Sequence, residues 1–453
     1  MSNQSSSTLK ENKMGTMPIN KLLITMSLPM MVSMLVQALY NIIDSIFVAM
    51  ISENAFTAVN YAFPAQNLLI GVAVGTGVGM SSLLSRYLGA KEFDSANKSA
   101  VNGMFLYLLS YSVFLLLGIF AVRPFFEVQT ENAEVVRYGC EYLSICMIGS
   151  IFSFGEICFN RLLQSTGRTT LSMFVQMTGA IVNIILDPVF IFVFDMGIAG
   201  AAIATVIGQA AGTAVGIFAN LKLNKDIHIS FKGFKPDGKI IKNIYSVGLP
   251  SILMQSVGSV MVFFMNSILS SFTEVATNVF GAYFKIQSFF FMPVFGLNNG
   301  MVPIVAYNFG ARRRKRITKT IKLAVIYAII IMSLGTLFMV AFPELLLSMF
   351  SASDEMLKIG APALRIIASS FLGAAVCICL NSVSQAVGNG MYSFIVSFAR
   401  QLIFLLPIAY LMSLTGNLDL VWVSYPIAEI ASLILSAFLY KRIYDKKLKT
   451  MED

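Results

Sequence analysis

Asn183 and Asp187 stand in the run Asn-Ile-Ile-Leu-Asp-Pro-Val-Phe-Ile-Phe, inside a stretch apolar enough to cross a bilayer. An ionisable group there is costly and is by default functional. One helical turn separates the two residues, so both face one direction. Pro188 removes a backbone donor and frees the carbonyl of Ile184 beside that face. Oxygens grouped against an interrupted membrane helix suit the binding of Na⁺ or H⁺.

Other polar residues fall into stripes at helical spacing. Gln37, Asn41 and Asp44 recur at i, i+4 and i+7, with Tyr40 one turn before Asp44. Glu156, Asn160 and Gln164 form a second stripe, and Thr205 with Gln209 a third. Such faces are intolerable toward lipid and must converge on an interior. The amides have an alternative use, because Asn and Gln also bond membrane helices to one another. Asp44 and Asp187 are different: a carboxylate is poor glue and a good carrier of a proton or cation. Glu156 either joins them or pairs with Arg161.

These residues need membrane helices to position them, and the composition supplies them. Of 453 residues, 57% are hydrophobic and 12% charged, and the mean hydropathy is +0.76. An ordinary soluble protein is excluded. Twelve segments of about 20 residues, the length that spans a bilayer, begin near Leu22, Ala55, Ser99, Val135, Thr169, Gly197, Ile244, Val275, Ile321, Leu357, Met391 and Asp419. No signal-peptide cleavage pattern precedes the first.

The net charge of +9 is placed for topology rather than for nucleic acid. Lys and Arg collect before span 1, after spans 2, 4, 6 and 8, and after span 12. The densest groups are Arg312 to Arg316, Lys222 to Lys242 and Lys441 to Lys449. Loops of the other parity carry Glu53, Glu127, Glu131, Glu344, Asp354 and Asp419, with Arg123, Arg137 and Lys358 as exceptions. The positive-inside rule then puts both termini in the cytoplasm. The five cysteines show no metal-like spacing and read as buried thiols. The single histidine, His228, lies in a polar connection, so a membrane-embedded enzyme lacks its usual groups.

An internal repeat organises the chain. Ser27-Leu-Pro29 returns as Gly248-Leu-Pro250, Leu88-Gly89-Ala90 as Phe309-Gly310-Ala311, and Asn160 with Gln164-Ser-Thr-Gly167 as Asn381 with Gln385-Ala-Val-Gly388, each 221 residues later. The expected fold is therefore an all-α polytopic membrane protein whose twelve helices form two pseudo-symmetric six-helix lobes. The expected division is a tail over 1–20, a first lobe over 21–222, a linker over 223–241, a second lobe over 242–441 and a tail over 442–453, with a cavity between the lobes.

The second half lacks the carboxylates. Asn266 stands near the place of Asp44 and Leu406 before Pro407 at that of Asp187, while Lys285, Arg365, Arg400 and Glu429 are its ionisable residues. Lys285 or Arg400 could pair with Glu429 as a clasp or a gate. Spans 7 and 8 bring Met254, Met261 and Met265, with Tyr283, Phe284 and several other Phe residues. Soft and aromatic groups adapt to varied apolar ligands, though most such residues pack helices or face lipid.

The chain resembles the multidrug and toxic compound extrusion (MATE) family, in the bacterial branch that includes DinF and MepA. Ser27-Leu-Pro-Met30, Asn41-Ile-Ile-Asp44, Ser85-Arg-Tyr-Leu-Gly-Ala90, Gln164-Ser-Thr-Gly167, Asn183-Ile-Ile-Leu-Asp187-Pro188, Gly248-Leu-Pro250 and Val302-Pro-Ile-Val-Ala-Tyr-Asn-Phe309 carry the resemblance, which runs from about residue 20 to 440. It implies a V-shaped bacterial cytoplasmic-membrane exporter of amphipathic, cationic drugs in exchange for H⁺ or Na⁺, working as a monomer with no further cofactor. By the family's pattern the first-lobe cation site is Asp44, Asn183, Asp187 and Thr205. Gln37, Tyr40, Asn41, Glu156, Asn160 and Gln209 are candidates for the adjoining cavity or an ion relay. The family's second branch has an acidic pair in the other lobe, which spans 7 and 8 here lack. A lipid-linked precursor flippase of the wider superfamily is one rival, but it would want a cationic cavity; a non-transporting membrane receptor is another, but it would not need buried carboxylates on both span 1 and span 5.

Overall fold

Lipid offers a backbone no hydrogen bonds, so an apolar chain of this kind must satisfy its peptide groups within helices. The computed structural model describes residues 11–350 and 352–451, and its regular elements there are helices. Ten are long and apolar enough to cross a membrane, and two bent pairs bring the count to twelve. In order the spans are Ile19–Ile51, Glu53–Gly89, Phe93–Phe120, Ala133–Ile148 with Ser150–Ser165, Thr169–Val193, Gly197–Leu223, Gly238–Ser270, Glu274–Gly310, Arg314–Ala341, Asp354–Ala368 with Phe371–Ala386, Gly390–Ser413 and Leu418–Leu448.

Spans 5 and 6 begin at the expected residues, and the others start one to seven residues earlier. The difference is physical. Helices continue past the hydrocarbon into polar turns such as Arg314-Lys-Arg316, which an apolar window does not count. The described part of the expected first tail is no free tail: it holds a short helix, Lys13–Thr16, with Met14 and Gly15 buried. Residues 1–10 and 452–453 lie outside the described residues.

Local signals repeat along with the motifs. The Ser52 side chain caps span 2 and Thr273, 221 residues on, caps span 8. Asn132 caps span 4 and Ser353 caps span 10. Both of those spans then bend, by 45° at Gly149 and by 49° at Ser369–Ser370. Outside, Leu116, Phe120, Leu337, Ile430, Ile434 and Phe438 are exposed, as residues facing lipid tails must be. Inside, Ser82, Ser85, Asn160, Gln164, Asn183 and Asp187 are buried.

The two lobes meet through contacts that occur twice. A side chain on Gly300 would come within 2.7 Å of Ser27 Cα, and one on Gly79 within 3.0 Å of the Gly248 nitrogen. These are the same contact viewed from either lobe, since Ser27 and Gly248, like Gly79 and Gly300, are 221 residues apart. Gly89 against the Tyr307 carbonyl and Gly310 against the Arg86 carbonyl form a second such pair. Only glycine admits backbones this close. The contacts begin at the end carrying Lys13, Arg313 and Lys447, the basic end, and reach Asn67 and Ser259, 3.4 Å apart near the middle of their helices.

Candidate cation site

Span 5 ends its α-helical part at Pro188 and continues as a π-helical turn, Val189–Val193. Proline cannot donate to the preceding turn, and the wider turn absorbs the mismatch. Asp187 sits at this joint with none of its surface exposed. One turn earlier, Asn183 Nδ2 donates to Asp187 Oδ1 at 3.2 Å and to Thr205 Oγ1 of span 6 at 3.3 Å. Asp44 of span 1 reaches the same place, its carboxyl within hydrogen-bonding range of that of Asp187.

The bonds made there leave three buried oxygens without a protein partner: Asp44 Oδ1, Asn183 Oδ1 and Asp187 Oδ2. Each would cost about 1–3 kcal/mol if nothing filled the role. Two carboxyls this close repel unless a proton or a cation lies between them. The donor set is all oxygen, with two acidic groups, an amide and a hydroxyl. It suits H⁺ or a small hard cation such as Na⁺. Among the described residues, no cluster of three or more His, Cys, Asp and Glu is arranged to hold a metal ion.

The remaining first-lobe candidates divide. Tyr40, one turn before Asp44 on span 1, is half-buried. Gln37 and Asn41, on the same helix, are exposed. Glu156 does not pair with Arg161, which bonds instead to Gln164 Oε1 at 3.0 Å and to Asn299 Oδ1 at 3.2 Å. Its carboxyl rests between Gly179 and Gly212, which have no side chains to fill the space. Gly179 is one turn before Asn183, so Glu156 lies in the same seam, displaced toward the basic end. Asn160 accepts from Ser172 and from Gln164, whose amide also reaches Ser172 at 3.1 Å. That network ties span 4 to span 5. Gln209 is half-buried in span 6. Gln176, seven residues before Asn183 on the same face, buries its Oε1 without a partner; the spacing was there to be read in the sequence.

Among the described residues, the second lobe has no acidic pair at the corresponding place. Arg400, opening the π-helical turn Ala399–Leu405, meets Glu429 of span 12 at 3.3 Å, and Ser432 Oγ donates to the other Glu429 oxygen at 3.3 Å. Lys285 lies elsewhere, over the Phe350 ring at 5.8 Å. Tyr283 packs on Phe280 and Tyr425, and with Met261 and Met265 it is buried inside the lobe. Of the candidate ligand-contacting residues, Met254 and Phe284 keep partly open surfaces.

Comparison with known proteins agrees with this architecture. The family model described as MatE matches residues 29–189 and again 250–411, one copy in each lobe. The multidrug export protein MepA of Staphylococcus haemolyticus is 26% identical over 431 residues, covering 93% of each chain. MepA of Staphylococcus aureus is 24% identical over 448 residues, covering 94% of this chain and 95% of its own. A solved structure titled as the outward-facing conformation of a multidrug resistance MATE family transporter superposes with a TM-score of 0.92 at 26% identity, over 97% of this chain and 99% of that one. A second, a transporter from Pyrococcus furiosus titled for the reversed polarity of its binding pocket, gives 0.91 at 26% identity, over 97% and 99%. With both lobes matched and the helical repeat intact, the chain belongs to the MatE family of membrane transporters.

Proposed function

We propose that this transporter exports amphipathic cationic drugs in exchange for H⁺ or Na⁺, and that Asp44, Asn183, Asp187 and Thr205 bind the coupling ion. The observation that carries the reading is the trio of buried, unpartnered oxygens on Asp44, Asn183 and Asp187. A drug cation in the cavity is attracted by these carboxyls across a low dielectric. An ion loaded on them cancels that attraction and favours release. Because Asp187 abuts Pro188 and the π-helical turn, its occupancy bears on the bend of span 5 and so on cavity shape. Glu156, in the same seam, would relay protons toward the basic end.

The charge pattern supports a basic end in the cytoplasm. The lobes touch from that end to mid-membrane, which fits a cavity facing outward. The flippase alternative would need a net cationic wall, and the half-buried second-lobe arginine, Arg400, is neutralised by Glu429. A single copy contains both lobes and the whole site, which suits a monomer.

Flux into proteoliposomes decides the matter. Ethidium should move against its gradient when a pH or Na⁺ gradient is imposed, and in preference to neutral or anionic analogues of similar size. Transport of anions in preference, or none under either gradient, would sink the exporter reading.

A further inference from the structure

The segment ahead of span 1 crosses from one lobe to the other at the basic end. On the first-lobe side, Asn12 Nδ2 donates to the Thr166 carbonyl at 3.0 Å and to Asp226 Oδ1 at 2.9 Å, and Asp226 is itself held by Arg168 at 3.0 Å. On the second-lobe side, Glu11 pairs with Arg313 at 2.7 Å. The Met14 carbonyl accepts from Asn308 Nδ2 and from Arg316 Nη2, each at 3.0 Å, while Arg313 Nη1 reaches the Gly15 carbonyl at 2.6 Å. Arg316 also bonds the Met17 carbonyl at 2.8 Å. Met14 is fully buried between these anchors.

The division of partners matters. Thr166 and Arg168 belong to the first lobe, to which Arg168 also holds Asp226 of the linker, and Asn308, Arg313 and Arg316 belong to the second, so the lobes cannot part at this end while all these bonds stand. Gly15 shows how tightly the segment is seated: a side chain there would lie 2.7 Å from Glu11 Oε1 and 2.9 Å from Arg313 Nη1. Most second-lobe bonds run from arginine to backbone carbonyls, whose geometry survives small shifts and can be broken and remade.

We propose that residues 11–17 form a releasable strap that fastens the two lobes together at the basic end and sets how readily the cavity opens to that side. The inference rests on the alternating-access reading above. Its two anchor sets lie outside the candidate cation site, so the strap is a conformational control distinct from ion binding.

Spin labels placed by Lys225→Cys, just past the end of span 6, and Lys446→Cys, in the last turn of span 12, exposed positions 221 residues apart, would report the separation of the basic ends. The full chain is used in lipid nanodiscs, with the five native cysteines replaced. Combining Asn12→Ala with Arg313→Ala and Arg316→Ala removes the Asn12 bonds on the first-lobe side and every arginine bond on the second, and should raise the ratio of separated to closed molecules on the order of tenfold, the scale expected when a few ordinary hydrogen bonds are lost. Gly15→Val keeps every side-chain partner but fills their space, and should give the same shift in protein that elutes as a single species. A wild-type distance distribution in either folded variant would overturn the strap. The readout is a distance and needs no flux, so failure of export in proteoliposomes would be seen separately.

Discussion

Asn183 Nδ2 lies 3.2 Å from Asp187 Oδ1, one turn along the same helix, and the bond leaves Asp187 Oδ2 buried and unpartnered. The amide thus orients the carboxyl without satisfying it. An oxygen so held is ready for a proton or cation at no cost in rearrangement. Asp44 approaches from span 1, so an ion bound there would tie span 1 to span 5.

Lobe asymmetry follows. The second lobe carries Asn266 and Leu406 near the places of the acids and uses its charges on the Arg400–Glu429 pair. Asp44→Asn should therefore abolish gradient-driven efflux, whereas Asn266→Ala should leave most of it. Equal losses at matched expression, measured by ethidium export, would contradict a one-sided ion site.

The Arg400–Glu429 pair is expected to act on stability. Glu429 is buried and Arg400 half-buried, so Glu429→Gln leaves the guanidinium without its carboxylate and should destabilise the protein by about 1–2 kcal/mol, below the cost of stranding a fully buried charge. Replacing both residues by methionine should recover most of that loss. Thermal unfolding in detergent reads the difference, and a double variant no better than the single one would show that the pair does not act as a unit.

Topology can be checked at the basic end. Arg312→Cys introduces a thiol at an exposed loop position. It should resist a membrane-impermeant maleimide in intact cells and react once they are opened. Labelling in intact cells would invert the orientation.

Much of this was legible in the sequence for physical reasons. Asp187 stood out because lipid penalises a lone carboxylate, and the repeat was visible because close backbone approach demands Gly89 and Gly310 and a positive φ demands Gly167 and Gly388. What remained hidden depends on tertiary contact. Sequence spacing shows that Asn183 and Asp187 share a face but not that Asp44, more than a hundred residues earlier, meets them. Nor could it choose Arg400 over Lys285 as the partner of Glu429, since both lie in apolar spans and only the packing of spans 11 and 12 brings one within reach. Residues 11–17 read as a polar tail because their own backbone carbonyls accept from distant arginines, which leaves no local pattern.

On the proposed function, Asp187 couples the ion to the drug. Asp187→Asn keeps size and some hydrogen bonding while removing the charge. The purified variant should fold, reach the membrane at wild-type levels and still bind ethidium, but its binding should no longer respond to pH or Na⁺ and its efflux should no longer follow the ion gradient. If Asp187→Asn pumps ethidium against its gradient with the wild-type ion dependence, Asp187 is not the coupling residue and the role passes to Asp44 or Glu156.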